Sequence, residues 1–141
     1  MKQVVLDSSV ALTWAFEDEQ SDAADVLVRS IRPGQVRVPS LWFFETANGL
    51  LSAVRRNRLS FEEALHVRKL LVQLPVSADL PAHGATFNRT LELAHQFDLS
   101  VYDAAYLEVA DRLELPLATL DRRLARACKA NGGSLLLDEP A

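Results

Sequence analysis

The stretch MKQVVLDSSVAL, residues 1–12, places a short apolar run directly before a carboxylate, Asp7. The run VVL is rich in β-branched residues, which suit a strand that is buried on both faces of a sheet. Two hydroxyl side chains, Ser8 and Ser9, follow before apolar residues resume. An Asp at the end of such a strand either caps the next helix or holds a positively charged group in a crevice. The positions of the other acidic residues bear on which interpretation is right.

The composition is typical of one soluble globular domain, residues 1–141, because 49% of the residues are hydrophobic and 24% are charged. The single cysteine, Cys128, excludes a disulfide within the chain and favours a reducing, cytoplasmic location. No apolar run approaches the roughly 20 residues of a membrane helix, and the N-terminal run is too short for a signal peptide. Since the net charge is −4, any contact with nucleic acid must use local basic clusters.

Short apolar runs alternate with longer helical stretches, a pattern typical of βαβ units and a mainly parallel sheet. We therefore predict an α/β fold with a central sheet of about five strands. The predicted strands are Gln3–Leu6, Val36–Val38, Val76–Ala78, Leu117–Thr119 and Leu135–Leu137. The predicted helices span residues 8–16, 21–31, 40–57, 60–74, 82–97, 101–113 and 121–130. Ser60 with Glu63 three residues later predicts a capping box at the start of the fourth of these helices.

Four acidic residues fall at strand ends or near the starts of helices: Asp7, Glu45, Asp103 and Asp121. Each of them alone is explained by capping, since carboxylates accept hydrogen bonds from the free N–H groups of a first helical turn. In a parallel sheet, however, strand ends and the following helix starts converge on one edge, where ligands bind. Carboxylates that cluster in apolar surroundings repel one another and need a compensating cation. The four together therefore favour a cation site.

Oxygen ligands of this kind suit hard divalent ions such as Mg²⁺ or Mn²⁺, which keep some water ligands and bridge to phosphate. The three histidines, His66, His83 and His95, fall in other helices, so a zinc site is not expected. One or two such ions would acidify a bound water and neutralise charge on a phosphodiester. The residues thus indicate metal-assisted phosphoryl chemistry.

The segments that carry the acids read VVLDSSVAL, FFETANGL, LSVYDAAYLEVA and LPLATLDRRLARA. In this order and spacing they resemble the PIN-domain ribonucleases, and most closely the toxin half of bacterial VapBC toxin–antitoxin pairs. The first is similar to the family's opening strand, and the second to the segment that places a Glu on a long helix. The third resembles the helix that begins with the third acid, and the fourth the late strand that ends in Thr-x-Asp. The resemblance covers essentially the whole chain.

The resemblance implies a three-layer α/β/α fold and a metal-dependent endoribonuclease that leaves a 3′-hydroxyl and a 5′-phosphate. It implies that Asp7, Glu45, Asp103 and Asp121 form an acidic pocket. Asp7 and Asp103 would be direct ligands of Mg²⁺, or of Mn²⁺ in its place. Glu45 and Asp121 would position or deprotonate the attacking water.

Further expectations from the resemblance concern supporting residues and partners. Ser9 and Thr119 would orient the carboxylates or a bound water through their hydroxyls. The family's toxins are held inactive by a cognate small antitoxin of the VapB type and are usually homodimers. Some relatives carry another acid two residues after the last Asp, where this chain has Arg123, so one-metal chemistry stays open beside a two-metal mechanism.

Arg122 and Arg123 follow a proposed site residue and lie at a helix start, where the helix dipole disfavours positive charge. We therefore expect one of the pair to contact RNA phosphate. Two enzyme or signalling classes fit less well. A haloacid-dehalogenase-type enzyme needs a second Asp, but this chain has Ser9 at that position. A receiver domain needs an acceptor Asp at the end of a middle strand, whereas the predicted strand Val76–Ala78 leads only to Asp79-Leu80-Pro81. A catalytically inactive PIN-like module that binds RNA or protein is the remaining alternative.

Overall fold

A computed structural model describes residues 3–16, 22–80 and 83–137, with the side chains of Trp14 and His83 left out of the description. A parallel four-stranded sheet lies at its centre, with the strand order β3-β2-β1-β4. The strands are β1 (Val4–Leu6), β2 (Val36–Pro39), β3 (Val76–Asp79) and β4 (Leu117–Ala118). All three residues of β1 are fully buried, and because alternate side chains point to opposite faces, both faces of the sheet are covered.

Seven α-helices, counted within the described ranges, flank this sheet and confirm the predicted α/β class. They are α1 (Ser8–Ala11), α2 (Asp22–Ser30), α3 (Leu41–Arg55), α4 (Phe61–Leu71), α5 (His83–Phe97), α6 (Val101–Leu113) and α7 (Arg122–Ala130). A short 3₁₀ helix, Leu12–Ala15, continues α1, so the helix predicted over 8–16 is divided in two. Helix α6 packs on β1 and β2, and α5 packs on α6.

The predicted fifth strand, Leu135–Leu137, is wrong as a strand, since only Leu135 forms a parallel bridge, to Leu117. Two backbone hydrogen bonds hold this segment against β4: the Leu117 N–H donates to the Ser134 carbonyl, and the Leu136 N–H donates to the Leu117 carbonyl. β4 is only two residues long because the chain turns at Thr119 toward α7. A neighbouring strand therefore has almost no ladder to pair with.

Local sequence signals set several helix ends, and the predicted capping box is one of them. At the start of α4 the Glu63 N–H donates to the Ser60 hydroxyl, and the Ser60 N–H donates to the Glu63 carboxylate, which confirms the capping box. After α7 the chain leaves the helix through Gly132, whose φ of 82° is easily adopted only by glycine. Helix α4 ends at Leu71, three residues before the predicted end at 74.

Consecutive aromatic residues at the start of α3 point in different directions, as adjacent helical positions must. Trp42 is buried in the core, whereas Phe43 is 47% exposed and Phe44 is 79% exposed. The rings of Trp42 and Phe43 meet edge to face, with centroids 5.2 Å apart. Only one residue of this aromatic triplet thus contributes to the core.

Two buried acids and the partly exposed Arg112 form an ion network that links the edge strand β3 to helix α6, with Arg37 of β2 a further 3.9 Å contact of Asp79. Arg112 donates through Nε to Glu108 at 2.7 Å and through Nη2 to Asp79. Both acids are buried, with Glu108 only 2% exposed. Because an unpaired charge in such a place is costly, each member of this network depends on the others.

The carboxyl ends of the four parallel strands lie at one edge of the sheet, and the starts of α1, α3 and α7 follow them directly. This is the edge where an α/β sheet places its ligand site. Within the described residues, no helix has the length and apolar character needed to cross a membrane.

Candidate active site

Asp7 stands at the end of β1 and is 5% exposed. Although it occupies the N-cap position of α1, its carboxylate makes no capping hydrogen bond. Instead, the hydroxyls of Ser9 and Thr119 both donate to Oδ2 at 2.7 Å, and Oδ1 accepts neither bond. The Asp7 carboxylate thus accepts hydrogen bonds from two hydroxyls and not from the N–H groups at the start of α1. This argues against the capping interpretation.

The two hydroxyls belong to one connected network. The Leu120 N–H donates to the Ser9 hydroxyl at 2.9 Å, and the Asp121 N–H donates to the Thr119 hydroxyl at 3.0 Å. This network joins the loop after β1 to the loop after β4, which are neighbouring strands. Ser9 and Thr119 thus both contact the Asp7 carboxylate, and their role in orienting it for a metal ion stays a prediction.

Glu45 extends from α3 toward the same edge. Its Oε1 accepts a hydrogen bond of 2.5 Å from the Tyr106 hydroxyl on α6 and a longer one of 3.4 Å from Ser8. Neither Tyr106 nor Ser8 was predicted as a site residue. The sequence did contain a signal for Tyr106, which lies three residues after Asp103 and so on the same face of α6. Because a buried tyrosine hydroxyl requires a polar partner, this position indicates a contact with an acid of the site.

Asp103 and Asp121 lie at the starts of α6 and α7. Ser100 is the N-cap of α6, and its hydroxyl accepts from the Asp103 N–H at 3.0 Å, so the Asp103 carboxylate is not needed as a cap. Asp121 does cap α7, because its Oδ1 accepts from the Leu124 N–H at 3.0 Å. The capping interpretation is therefore right for Asp121 among the four acids.

The four carboxylates are linked by mutual repulsion, Asp7 with Glu45 and Asp103, and Asp103 with Glu45 and Asp121. Burial raises the pKa of Asp7 to about 6, with the negative charges of Glu45 and Asp103 raising it further and the two hydroxyls opposing the rise. Burial also raises the pKa of Glu45, again with a contribution from Asp103. Burial and then the charge of Asp121 raise the pKa of Asp103. Since a carboxylate resists ionisation where negative charge accumulates, this crevice favours a cation.

Neither Asp7 nor Glu45 forms an ion pair with any Lys, Arg or His side chain that the structure describes. Across residues 3–16, 22–80 and 83–137, however, no three His, Cys, Asp or Glu side chains are grouped closely enough to hold a metal ion together. Among the described residues, an ion here would therefore have at most two carboxylate ligands and would keep water in its other positions, an arrangement that Mg²⁺ accepts.

The two arginines after Asp121 differ in their surroundings. Arg123 donates through Nη2 to the backbone carbonyl of Asp98 at 2.9 Å and to its carboxylate at 3.1 Å. Its charge is also near enough to lower the pKa of Asp103 slightly against the larger effects that raise it. Arg122 is exposed and has no hydrogen bond or ion pair with another described residue. Both side chains are at the solvent boundary of α7.

A model of the PIN domain family matches residues 4–130 of the chain. The chain belongs to the PIN domain family. Ribonuclease VapC3 of Pyrobaculum aerophilum is 28% identical over 123 residues, which are 87% of this chain and 92% of that protein. Ribonuclease VapC9 of Mycobacterium tuberculosis is 31% identical over 122 residues, covering 86% of this chain and 88% of that protein. These similarities confirm the predicted resemblance to VapC-type PIN proteins.

Solved structures show the same PIN fold. The crystal structure of PAE2754 from Pyrobaculum aerophilum superposes with a TM-score of 0.66 at 23% identity, over 89% of this chain and 84% of that one. A toxin–antitoxin complex from Klebsiella pneumoniae contains a chain that superposes with a TM-score of 0.56 at 15% identity, over 84% of this chain and 87% of that one. At these identities the likeness concerns the fold, and it confirms the predicted sheet flanked by helices.

Proposed function

We propose that this PIN-domain protein is a divalent-metal-dependent endoribonuclease and the toxin of a type II toxin–antitoxin pair, acting as a single domain over residues 1–141. The observation that carries the proposal is the Asp7 carboxylate, which is buried among other carboxylates, makes no cap and has no described cation beside it. Relatives named VapC ribonuclease support the same activity.

The four acids of the proposed site would have different roles. Asp7 and Asp103 would hold Mg²⁺, with Mn²⁺ as a substitute, because their carboxylates are coupled and are not used as helix caps. Such an ion neutralises charge on the scissile phosphate and lowers the pKa of a water. Glu45 would orient or deprotonate the attacking water, and Asp121 would assist through the oxygen that does not cap α7.

Three side chains would act at the border of this centre. Ser9 and Thr119 hold Oδ2 of Asp7, which leaves Oδ1 to face the ion. Arg122, whose side chain has no partner among the residues that the structure describes, would offer its charge to an RNA phosphate, whereas Arg123 would first have to release Asp98. Because an exposed ion pair of this type contributes only about 0–1 kcal/mol, an RNA phosphate can replace it.

The partners in this proposal are an RNA substrate, a small VapB-like antitoxin and a second copy of the chain in a homodimer. The toxin–antitoxin complex among the similar structures supports an antitoxin partner. We place the activity in the cytoplasm, where cellular RNA is found. A gene for a small protein directly beside this one, whose product copurifies with the chain and stops cleavage, would identify the antitoxin.

The deciding experiment is cleavage of purified total bacterial RNA by the antitoxin-free protein with Mg²⁺, Mn²⁺ or EDTA. Discrete fragments that require a metal ion and disappear in Asp7→Asn are the expected result. Glu62→Gln is the matched control, because it removes one exposed carboxylate on α4, away from the crevice. Equal cleavage by Asp7→Asn and the wild type would contradict the assignment.

One observation favours the alternative, a catalytically inactive PIN-like module that binds RNA or protein. The described residues contain no group of three metal-binding side chains already assembled. Calorimetric titration with Mn²⁺ separates the two functions. The nuclease is expected to bind Mn²⁺ through Asp7, whereas a folded wild type that neither binds Mn²⁺ nor cleaves RNA would be the inactive module.

A further inference from the structure

The shortest side-chain hydrogen bond in the acidic crevice joins two helices. The Tyr106 hydroxyl on α6 donates to Oε1 of Glu45 on α3 at 2.5 Å, between residues that are 61 positions apart in sequence. Ser8 reaches the same oxygen at 3.4 Å, which is a much weaker bond. Oε1 is thus held from two sides, while Oε2 takes part in neither bond. One half of the Glu45 carboxylate is anchored and the other half is left for other contacts.

Tyr106 is fully buried, and its ring fills the core beneath the site. Burial, the charge of Asp7 and the bond to Glu45 raise the pKa of Tyr106, so its hydroxyl stays protonated and acts as a donor. A phenylalanine would fill the same core volume. The hydroxyl therefore requires a separate explanation, and its contact with Glu45 provides one.

We propose that Tyr106 is a positioning residue that selects the rotamer of Glu45, so that Oε1 is the anchored oxygen and Oε2 is the oxygen that orients the attacking water. This inference rests on the proposed ribonuclease function. A glutamate without this bond has several rotamers to populate, and only a fraction of them direct an oxygen into the crevice. Tyr106 lies one helical turn after Asp103, so the same face of α6 carries an acid of the site and the residue that orients another acid.

The test compares Tyr106→Phe with Tyr102→Phe, which removes a hydroxyl from the chain's other tyrosine, 65% exposed. The substrate is a labelled oligoribonucleotide that spans a cleavage site mapped with total RNA. We expect kcat of Tyr106→Phe to fall about 10- to 100-fold, the range typical of residues that orient a site's first ligands. The KM for RNA should not change, because the RNA makes no contact with a buried hydroxyl. Tyr102→Phe should cleave like the wild type.

Binding of Mn²⁺ separates an effect on Glu45 from an effect on the metal ligands. Tyr106→Phe should bind Mn²⁺ as the wild type does, whereas Asp103→Asn should bind it more weakly. Wild-type kcat in Tyr106→Phe would overturn the proposal. A loss of Mn²⁺ affinity as large as that of Asp103→Asn would also overturn it, since Tyr106 would then act on the metal ligands.

A thermal-unfolding cycle in EDTA tests the same link without any catalysis. It uses Tyr106→Phe, Glu45→Leu and the double variant, because leucine, unlike glutamine, cannot accept the hydrogen bond of the Tyr106 hydroxyl. If the hydroxyl acts through Glu45, the double variant should melt no lower than the less stable single variant. Melting losses that simply add would overturn the proposal. If the wild type cleaves no RNA, the proposed function fails, and this cycle still decides whether Tyr106 positions Glu45.

Discussion

Replacing Asp7 by Asn should stabilise the metal-free protein at neutral pH while it abolishes RNA cleavage. The reason is that burial raises the pKa of Asp7 from 3.8 to about 6 in the folded protein. At about 1.4 kcal/mol for each pKa unit, this difference means that an ionised Asp7 lowers the free energy of unfolding by about 3 kcal/mol. Because Asp7 is almost fully buried, solvent screening does not reduce this figure much.

The sign of the pH dependence follows from proton linkage. Between about pH 4 and pH 6 the folded chain binds more protons at Asp7 than the unfolded chain, so stability falls as the pH rises through this window. Above about pH 6 the full penalty is present, and below about pH 4 it is absent. Asparagine cannot ionise, and its amide oxygen can replace Oδ2 as the acceptor for both the Ser9 and Thr119 hydroxyls.

The assay is urea unfolding in EDTA across this pH range, with Glu62→Gln as the control for removal of an exposed charge. Asp7→Asn should equal the wild type at about pH 4 and exceed it by about 3 kcal/mol at about pH 7. Adding Mn²⁺ at neutral pH should stabilise the wild type but not Asp7→Asn, since only the wild type keeps the ligand. Equal stability of the two proteins at neutral pH in EDTA would refute the electrostatic reasoning.

Three further predictions concern supporting contacts. Arg112→Leu leaves the buried Glu108 carboxylate without its cation and Asp79 with only Arg37, 3.9 Å away, and should lower the free energy of unfolding by about 3 kcal/mol; a urea-measured loss below about 1 kcal/mol would contradict this. Ser60→Ala removes the capping box and should cost about 1 kcal/mol in the same assay, with Ser60→Asp close to the wild type. Thr119→Val removes one of the two hydroxyls that hold Asp7 and should weaken Mn²⁺ binding about 10- to 100-fold in calorimetry; unchanged affinity would argue against its orienting role.

Local signals predicted the fold well where they act within a few residues. The capping box at Ser60 depends only on neighbouring backbone groups, so the local sequence was sufficient to predict it. The strand predicted at Leu135–Leu137 failed because an apolar run shows that a segment can be buried, not that a partner strand is long enough to pair with it. Pairing is a property of two segments, and the sequence of neither segment shows how many residues of the other are free to pair.

The four acids of the proposed site could be selected from the sequence by their residue type and by their positions at strand ends and helix starts. The sequence could not show which of these acids caps a helix. Asp7 and Asp121 occupy the same kind of position, directly after a strand and before a helix. Asp121 caps with its side chain, whereas the hydroxyls of Ser9 and Thr119 draw the Asp7 carboxylate away from its helix start.

The sequence by itself determined the class of fold and the gathering of acidic residues at one edge of the sheet, where the proposed site lies, because these follow from apolar periodicity and residue type. Only the tertiary structure decided which oxygens are anchored and which are available. Thr119 meets Asp7 across 112 positions of sequence, and Tyr106 meets Glu45 across 61. Such contacts arise when strands and helices pack around a common core, and no local pattern in either segment encodes the distance between them.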